Sequence, residues 1–165
     1  MIVSVAEFVR YFDGVRRRTL AAVARVTPET AAYRPREAEW TCGQIVQHIA
    51  GSERFFVTKV VEDRFTTDLD VVPFEAWDLT RAALDAVHRV EMARLEALPD
   101  AKLREKVSDL EGGTVSAWRF LMAMVEHEVH HRSQLDAWLA LAGTEPAQIY
   151  GYRMEDVVAK VGTSA

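Results

Sequence analysis

The sequence predicts an all-α fold, a four-helix bundle with a long crossover between the second and third helices. Two observations favour it: four long segments place apolar residues at helical spacing, and little of the chain alternates as strands do. The 165 residues suit one domain with a core of its own. We therefore expect residues 1–165 to form a single helical-bundle domain.

The first predicted helix runs from about Ser4 to Val26. Ser4 and Glu7 form a capping-box pattern, in which each side chain satisfies a backbone N–H group at the helix start. Thr27-Pro28 ends the helix. Its apolar residues recur at helical spacing, as one buried face requires: Val5, Phe8, Phe12, Val15, Leu20 and Val23.

The second predicted helix runs from about Thr41 to Asp63, and Thr41 with Gln44 forms another capping box at its start. The stretch from Asp63 to Trp77 has no clear periodicity and contains Pro73, so we predict a loop there. This loop is long for a hairpin between adjacent helices. A crossover between two helices of the same direction explains its length.

The third predicted helix runs from about Leu79 to Leu98 and stops at Pro99. A polar stretch from Asp100 to Glu111 follows and ends in Gly112-Gly113, which marks a turn. Within this stretch we predict a short extended piece at Lys106, Val107 and Leu110.

The fourth predicted helix runs from about Val115 to Ala142, and Gly143 is its C-terminal stop. The remaining residues contain Pro146 and one short predicted helix, Glu155 to Lys160. The fourth helix, together with the first three, completes the predicted bundle.

Composition and charge exclude several classes of function. The net charge is -5, and the densest basic run, Arg16-Arg17-Arg18, is predicted on a helix surface, whereas a nucleic-acid partner needs a concentrated basic face. No apolar stretch approaches the roughly 18–20 residues of a membrane span, and the start lacks a signal-peptide pattern, so we expect a cytoplasmic protein. Cys42 is the only cysteine, which excludes an internal disulfide and a cysteine-based zinc cluster.

Three histidines are the candidate metal ligands. His127 and His131 are four residues apart on the fourth helix, so they project from one side, which large apolar residues share. His48 has apolar neighbours at the same spacing on the second helix and should also point inward. Two imidazoles on one apolar face need compensation that a metal ion supplies, and three would leave coordination positions open. His88 is predicted to be an ordinary, partly exposed residue, and His130 is not assigned as a ligand.

Other interpretations of these residues stay open at this point. In one, the histidines are only hydrogen-bonded in the core. In another, residues 127–131 match the H-E-x-x-H helix of zinc proteases, with Glu128 as general base and Glu145 or Glu155 as third ligand. The lack of a convincing sheet to bind a peptide weighs against the protease. A di-metal carboxylate site needs a second Glu-x-x-His motif, which the second helix lacks.

Three stretches of the chain resemble the DinB-like family of small metal-binding bundles. They are Trp40-Thr41 at the start of the second helix, His48-Ile49 with Glu53 behind them, and the run from His127 to Leu135. The resemblance covers nearly the whole chain in element order. It implies an up-down-down-up bundle, a homodimer, and one divalent ion such as zinc or nickel held by His48, His127 and His131.

The same resemblance also bears on the reaction. Some members of the family transfer low-molecular-weight thiols or use a thiol as cofactor. A three-histidine metal can lower the pKa of a bound thiol and activate it for attack on a small-molecule substrate, which favours a metal-dependent thiol S-transferase. The alternatives are a metal-dependent hydrolase, with Glu128 as candidate base, and a non-catalytic metal-binding or dimerisation module.

Overall fold

The computed structural model describes residues 2, 4–68, 76–145, 147–148 and 150–162, and the chain is mostly helical, as predicted. Both Pro73 and Pro146 lie outside the described residues. In chain order the helices are α1 (Val5–Val23), α2 (Pro28–Ala31), α3 (Cys42–Glu62), α4 (Trp77–Glu96), α5 (Ala117–Leu141) and α6 (Met154–Gly162). Between α4 and α5 lie a 3₁₀ helix (Asp100–Arg104) and an antiparallel pair of strands, β1 (Lys106–Ser108) and β2 (Thr114–Ser116).

Capping residues explain where α1 and α3 begin. Ser4 is the N-cap of α1, and its side chain accepts a hydrogen bond from the backbone N of Glu7. The Thr41 Oγ1 atom accepts from the backbone N of Gln44 at 3.1 Å, and Gln44 Oε1 accepts from the backbone N of Thr41 at 2.9 Å. Both predicted starts are therefore confirmed to within one residue.

The four long helices pack side by side into one bundle. α1 contacts α4 and α5, and α3 contacts the same two helices. One apolar cluster combines the start of α1, the ends of α3 and α4 and the start of α5, with Phe8, Val60, Leu95 and Leu121 among its buried members. A second cluster combines the end of α1, the starts of α3 and α4 and the end of α5, with Val23, Ile45, Leu84 and Leu135.

The segment between α4 and α5 differs from the prediction in its detail. Lys106 and Val107 are in β1, as predicted, but Leu110 lies in the turn and is exposed. Val115 belongs to β2, where it pairs with Val107, and α5 starts two residues later. The turn is closed by Asp109, whose Oδ1 accepts from the backbone N of Gly113 at 2.7 Å.

The C-terminal helix α6 confirms the short helix predicted near the end of the chain, and its side chains are all exposed. In the described part of the chain, every helix is too short or too polar to cross a lipid bilayer.

Candidate metal centre

The structure brings His48, His127 and His131 together where α3 packs against α5. The Nε2 atoms of His48 and His127 are 3.2 Å apart, and one ring nitrogen from each of the three residues lies within 4.8 Å of the others. His48 and His127 are half-buried and His131 is buried. We call these three residues the histidine triad.

The donor chemistry of the triad fits a shared divalent ion. Nitrogen ligands lie about 2.0–2.1 Å from a zinc ion, which puts two of them roughly 3.3 Å apart in a tetrahedral site. The 3.2 Å between the His48 and His127 nitrogens is close to that separation. The ring centroids of His127 and His131 are 4.4 Å apart, because the two residues are one helical turn apart on α5.

A hydrogen bond orients the His131 ring. Its Nδ1 atom lies 2.9 Å from Gln134 Oε1, and an amide oxygen only accepts, so Nδ1 carries the proton. The Nε2 lone pair is then available, the arrangement that metal-binding histidines usually show. Burial lowers the pKa of His131, against the opposing effect of the Gln134 hydrogen bond, and so favours the neutral ring that a metal requires.

The predicted base, Glu128, contacts α1 through both of its oxygens. Thr19 Oγ1 donates to Oε1 at 2.6 Å, and Arg16 Nη2 donates to Oε2 at 2.9 Å. Burial raises the pKa of Glu128, while the Arg16 charge and the Thr19 hydrogen bond oppose the rise. A catalytic role for Glu128 stays a prediction, and the geometry assigns the side chain a contact between α5 and α1.

Arg16 joins α1, α3 and α5 in the interior of the bundle. Its Nη2 atom lies 2.6 Å from Glu53 Oε2 and 2.9 Å from Glu128 Oε2, and all three side chains are at most 3% exposed. We call these three residues the buried ion network. The prediction that Arg16 lies on a helix surface was therefore wrong. Helical spacing could have indicated that Arg16 is buried, because it is four residues after the core residue Phe12 and therefore on the same face of α1.

His88 extends this network to α4. Its Nδ1 atom lies 2.7 Å from Glu53 Oε1, and its Nε2 atom lies 3.1 Å from Asp13 Oδ1. Burial lowers the pKa of His88, but the hydrogen bond and charge of Glu53, together with the hydrogen bond of Asp13, raise the pKa above its ordinary value. The side chain is partly exposed, as predicted, but it is an ion-pair partner that the sequence did not reveal.

We expect His88 to make the stability of the fold depend on pH. Because its pKa is raised in the folded state, its contribution is complete below the unfolded pKa of about 6.5 and is lost as the pH rises through the folded pKa. Urea unfolding with EDTA present, between about pH 6 and pH 9, measures the free energy of unfolding of the wild type and of His88→Gln. The difference in free energy of unfolding between the wild type and His88→Gln should become smaller as the pH rises. If this difference stayed constant over that pH range, the ion-pair role of His88 would be contradicted.

The chain is similar to known proteins over most of its length. The sequence pattern of the DinB superfamily matches residues 11–135. The uncharacterized protein YjoA of Bacillus subtilis is 23% identical over 150 residues, which cover 90% of this chain and 97% of YjoA. The crystal structure of YjoA has a TM-score of 0.71 at 22% identity, covering 86% of this chain and 95% of that one.

Two other solved structures share the fold. A DinB-like protein from Bacillus cereus has a TM-score of 0.77 at 20% identity, covering 88% of this chain and 97% of that one. YfiT from Bacillus subtilis, described as a probable metal-dependent hydrolase with an unusual four-helix bundle topology, has a TM-score of 0.63 at 18% identity. That match covers 84% of this chain and 87% of YfiT.

Proposed function

The chain belongs to the DinB superfamily, and on this premise we propose that it is an enzyme whose one divalent metal ion is held by His48, His127 and His131. The observation that carries the proposal is the convergence of three ring nitrogens within 4.8 Å of one another. YfiT, which shares the fold, is described as a probable metal-dependent hydrolase, and this supports the assignment. Zinc and nickel are the proposed ions, since imidazole suits both.

The proposed direction of the four long helices is up-down-down-up. It is supported by the two apolar clusters, because the start of α1 and the start of α5 share one cluster with the ends of α3 and α4. The second cluster has the opposite ends of all four helices. The homodimer that the family resemblance implies stays a prediction.

For the reaction, we propose transfer of a low-molecular-weight thiol to an electrophilic small molecule. A divalent ion held by His48, His127 and His131 would act as a Lewis acid that lowers the pKa of a bound thiol, so no protein base would be needed. The thiol proton passes to solvent, the sulfur forms a bond to the electrophilic carbon, and the leaving group departs with its electron pair. Glu128, the candidate base for hydrolysis, already contacts Arg16 and Thr19 through its two oxygens, which favours thiol transfer.

Hydrolysis is the second candidate, and the description of YfiT is the observation that favours it. In that case the ion would activate water, and a proton must reach the leaving group from a protein side chain or solvent. The two reactions differ in whether a thiol is consumed, which makes them separable in one assay.

We expect the zinc-loaded or nickel-loaded protein to accelerate the reaction of monochlorobimane with at least one thiol by about tenfold or more over the uncatalysed rate. Cysteine, glutathione and coenzyme A are suitable probes, and fluorescence of the bimane adduct is the measurement. The metal-free protein and His127→Ala serve as controls and should lose the acceleration. Hydrolysis of p-nitrophenyl acetate without thiol would instead support the hydrolase. A metal-loaded protein that does neither would contradict an enzyme and support a non-catalytic module.

A further inference from the structure

The histidine triad lies against a large apolar side chain that is open to solvent. Trp40 is 42% exposed, whereas the core residue Trp77 is 8% exposed. The ring centroid of Trp40 is 4.5 Å from that of His48 and 5.7 Å from that of His131. Trp40 is therefore in contact with two of the three proposed ligands and is also open to solvent.

The position of Trp40 is determined by both helices that bear the triad. Trp40 directly precedes Thr41, the N-cap of α3, whose capping box orients the chain at that point. The Nε1 atom of Trp138, on α5, donates a hydrogen bond to the Trp40 carbonyl oxygen at 3.0 Å. The backbone of Trp40 is thus attached to α3 and hydrogen-bonded to α5, the two helices that carry the triad.

A group of aromatic rings also lies beside His127, the third residue of the triad. The ring centroid of Phe56 is 5.6 Å from that of His127, and the ring of Phe120 lies 5.1 Å from that of Phe56. Trp40 contacts His48 and His131, whereas Phe56 contacts His127, so the two rings border different parts of the triad. Two further rings continue this half-buried group, those of Phe55 and Phe65.

Two polar groups that contact the triad carry no charge. Ser52 Oγ lies 3.3 Å from His48 Nε2, and Gln134 Oε1 lies 2.9 Å from His131 Nδ1. The Gln134 contact orients the His131 ring, and the aromatic rings beside the triad offer surfaces on which the body of a bound molecule can pack. Offset or edge-to-face packing on such rings favours flat apolar groups.

We propose that the natural ligand of this site has a flat apolar group, such as an aromatic ring, next to the atom that binds the metal, and that Trp40 is the residue that recognises this group. The inference rests on the proposed metal site and names its substrate class. A small aromatic electrophile, or an aromatic molecule with one metal-binding head, fits this description.

Two hydroxamates with the same metal-binding head test the inference. Benzohydroxamate carries a phenyl ring where acetohydroxamate carries a methyl group. Titration calorimetry on the full chain, loaded with one equivalent of zinc, should show benzohydroxamate binding about tenfold tighter or more. Trp40→Ala, loaded with one equivalent of zinc, should reduce that ratio to about twofold or less, and Trp40→Phe should keep most of the ratio.

Tyr11 provides the matched control, because it is an aromatic residue on α1 that is 48% exposed and lies beside Met122 in a separate groove. Tyr11→Ala should leave the ratio unchanged. Equal binding of the two hydroxamates to the wild type, or a ratio that survives Trp40→Ala, would overturn the inference while the metal site stands. A wild-type protein that binds neither zinc nor nickel would remove the proposed function and this inference with it.

Discussion

Replacing His127 with alanine should abolish stoichiometric metal binding and leave the fold intact. The change removes one of three proposed ligands, and the remaining two, His48 and His131, lie on different helices. Because changes in residues that merely support a metal ligand already cost about 10–100-fold in affinity, we expect a loss of at least roughly 100-fold here. His127 is only half-buried, so the truncation leaves no closed cavity in the core.

Metal content by mass spectrometry, on protein purified without a histidine tag, measures this loss, and competition with a chromophoric chelator provides the affinity. His130→Ala is the matched control. His130 is an exposed histidine on the same helix, with its ring centroid 4.8 Å from that of His131, but it is outside the triad. It should retain the wild-type metal content. A His127→Ala protein that still binds one ion per chain would contradict the assigned ligands.

The second large effect is expected at Arg16. Arg16→Met removes the cation that lies between Glu53 and Glu128, and it leaves the buried Glu128 carboxylate without this cation and Glu53 with only His88 as an ion-pair partner. Breaking a buried ion pair in this way typically costs about 3–5 kcal/mol of folding free energy. Urea unfolding near neutral pH measures the cost.

Two further variants separate charge from packing. Arg17→Met changes the exposed neighbouring residue and should alter the free energy of unfolding by about 0.5 kcal/mol or less. Combining Arg16→Met with Glu53→Gln and Glu128→Gln should recover most of the lost stability, because replacing a whole buried ion group by neutral residues is often nearly neutral. If Arg16→Met alone cost less than about 1 kcal/mol, the buried ion network would not be a major source of stability.

Two residues of the buried ion network, Glu53 and Glu128, lie close to the triad in sequence. Glu128 directly follows His127, and Glu53 directly follows Ser52, which contacts His48. Both carboxylates contact Arg16 on α1, a helix without any of the three histidines. A carboxylate adjacent to a metal ligand in sequence is thus no evidence that it faces the metal, since neighbouring helical residues project about 100° apart.

The bounds of the helices were predictable where a local signal marks them. The N-cap residue Ser4 and the capping box at Thr41 mark the starts of α1 and α3. α4 begins two residues before its predicted start, after Ala76, which has no side-chain hydrogen bond to mark the cap. The short helix α2 was missed because Thr27-Pro28, a helix-ending signal for α1, is also the N-cap and first residue of a new turn.

The sequence by itself determined the helical class, the positions of the long helices and the inward pair of His127 and His131, because periodicity and capping act within one or two turns. Only the tertiary structure decided which side chains meet across the bundle. Arg16 and Glu128 are 112 positions apart, and His48 and His127 are 79 apart. Helical spacing predicts that such residues face inward, but their partners and distances depend on how α1, α3 and α5 pack, which is a property of the whole core.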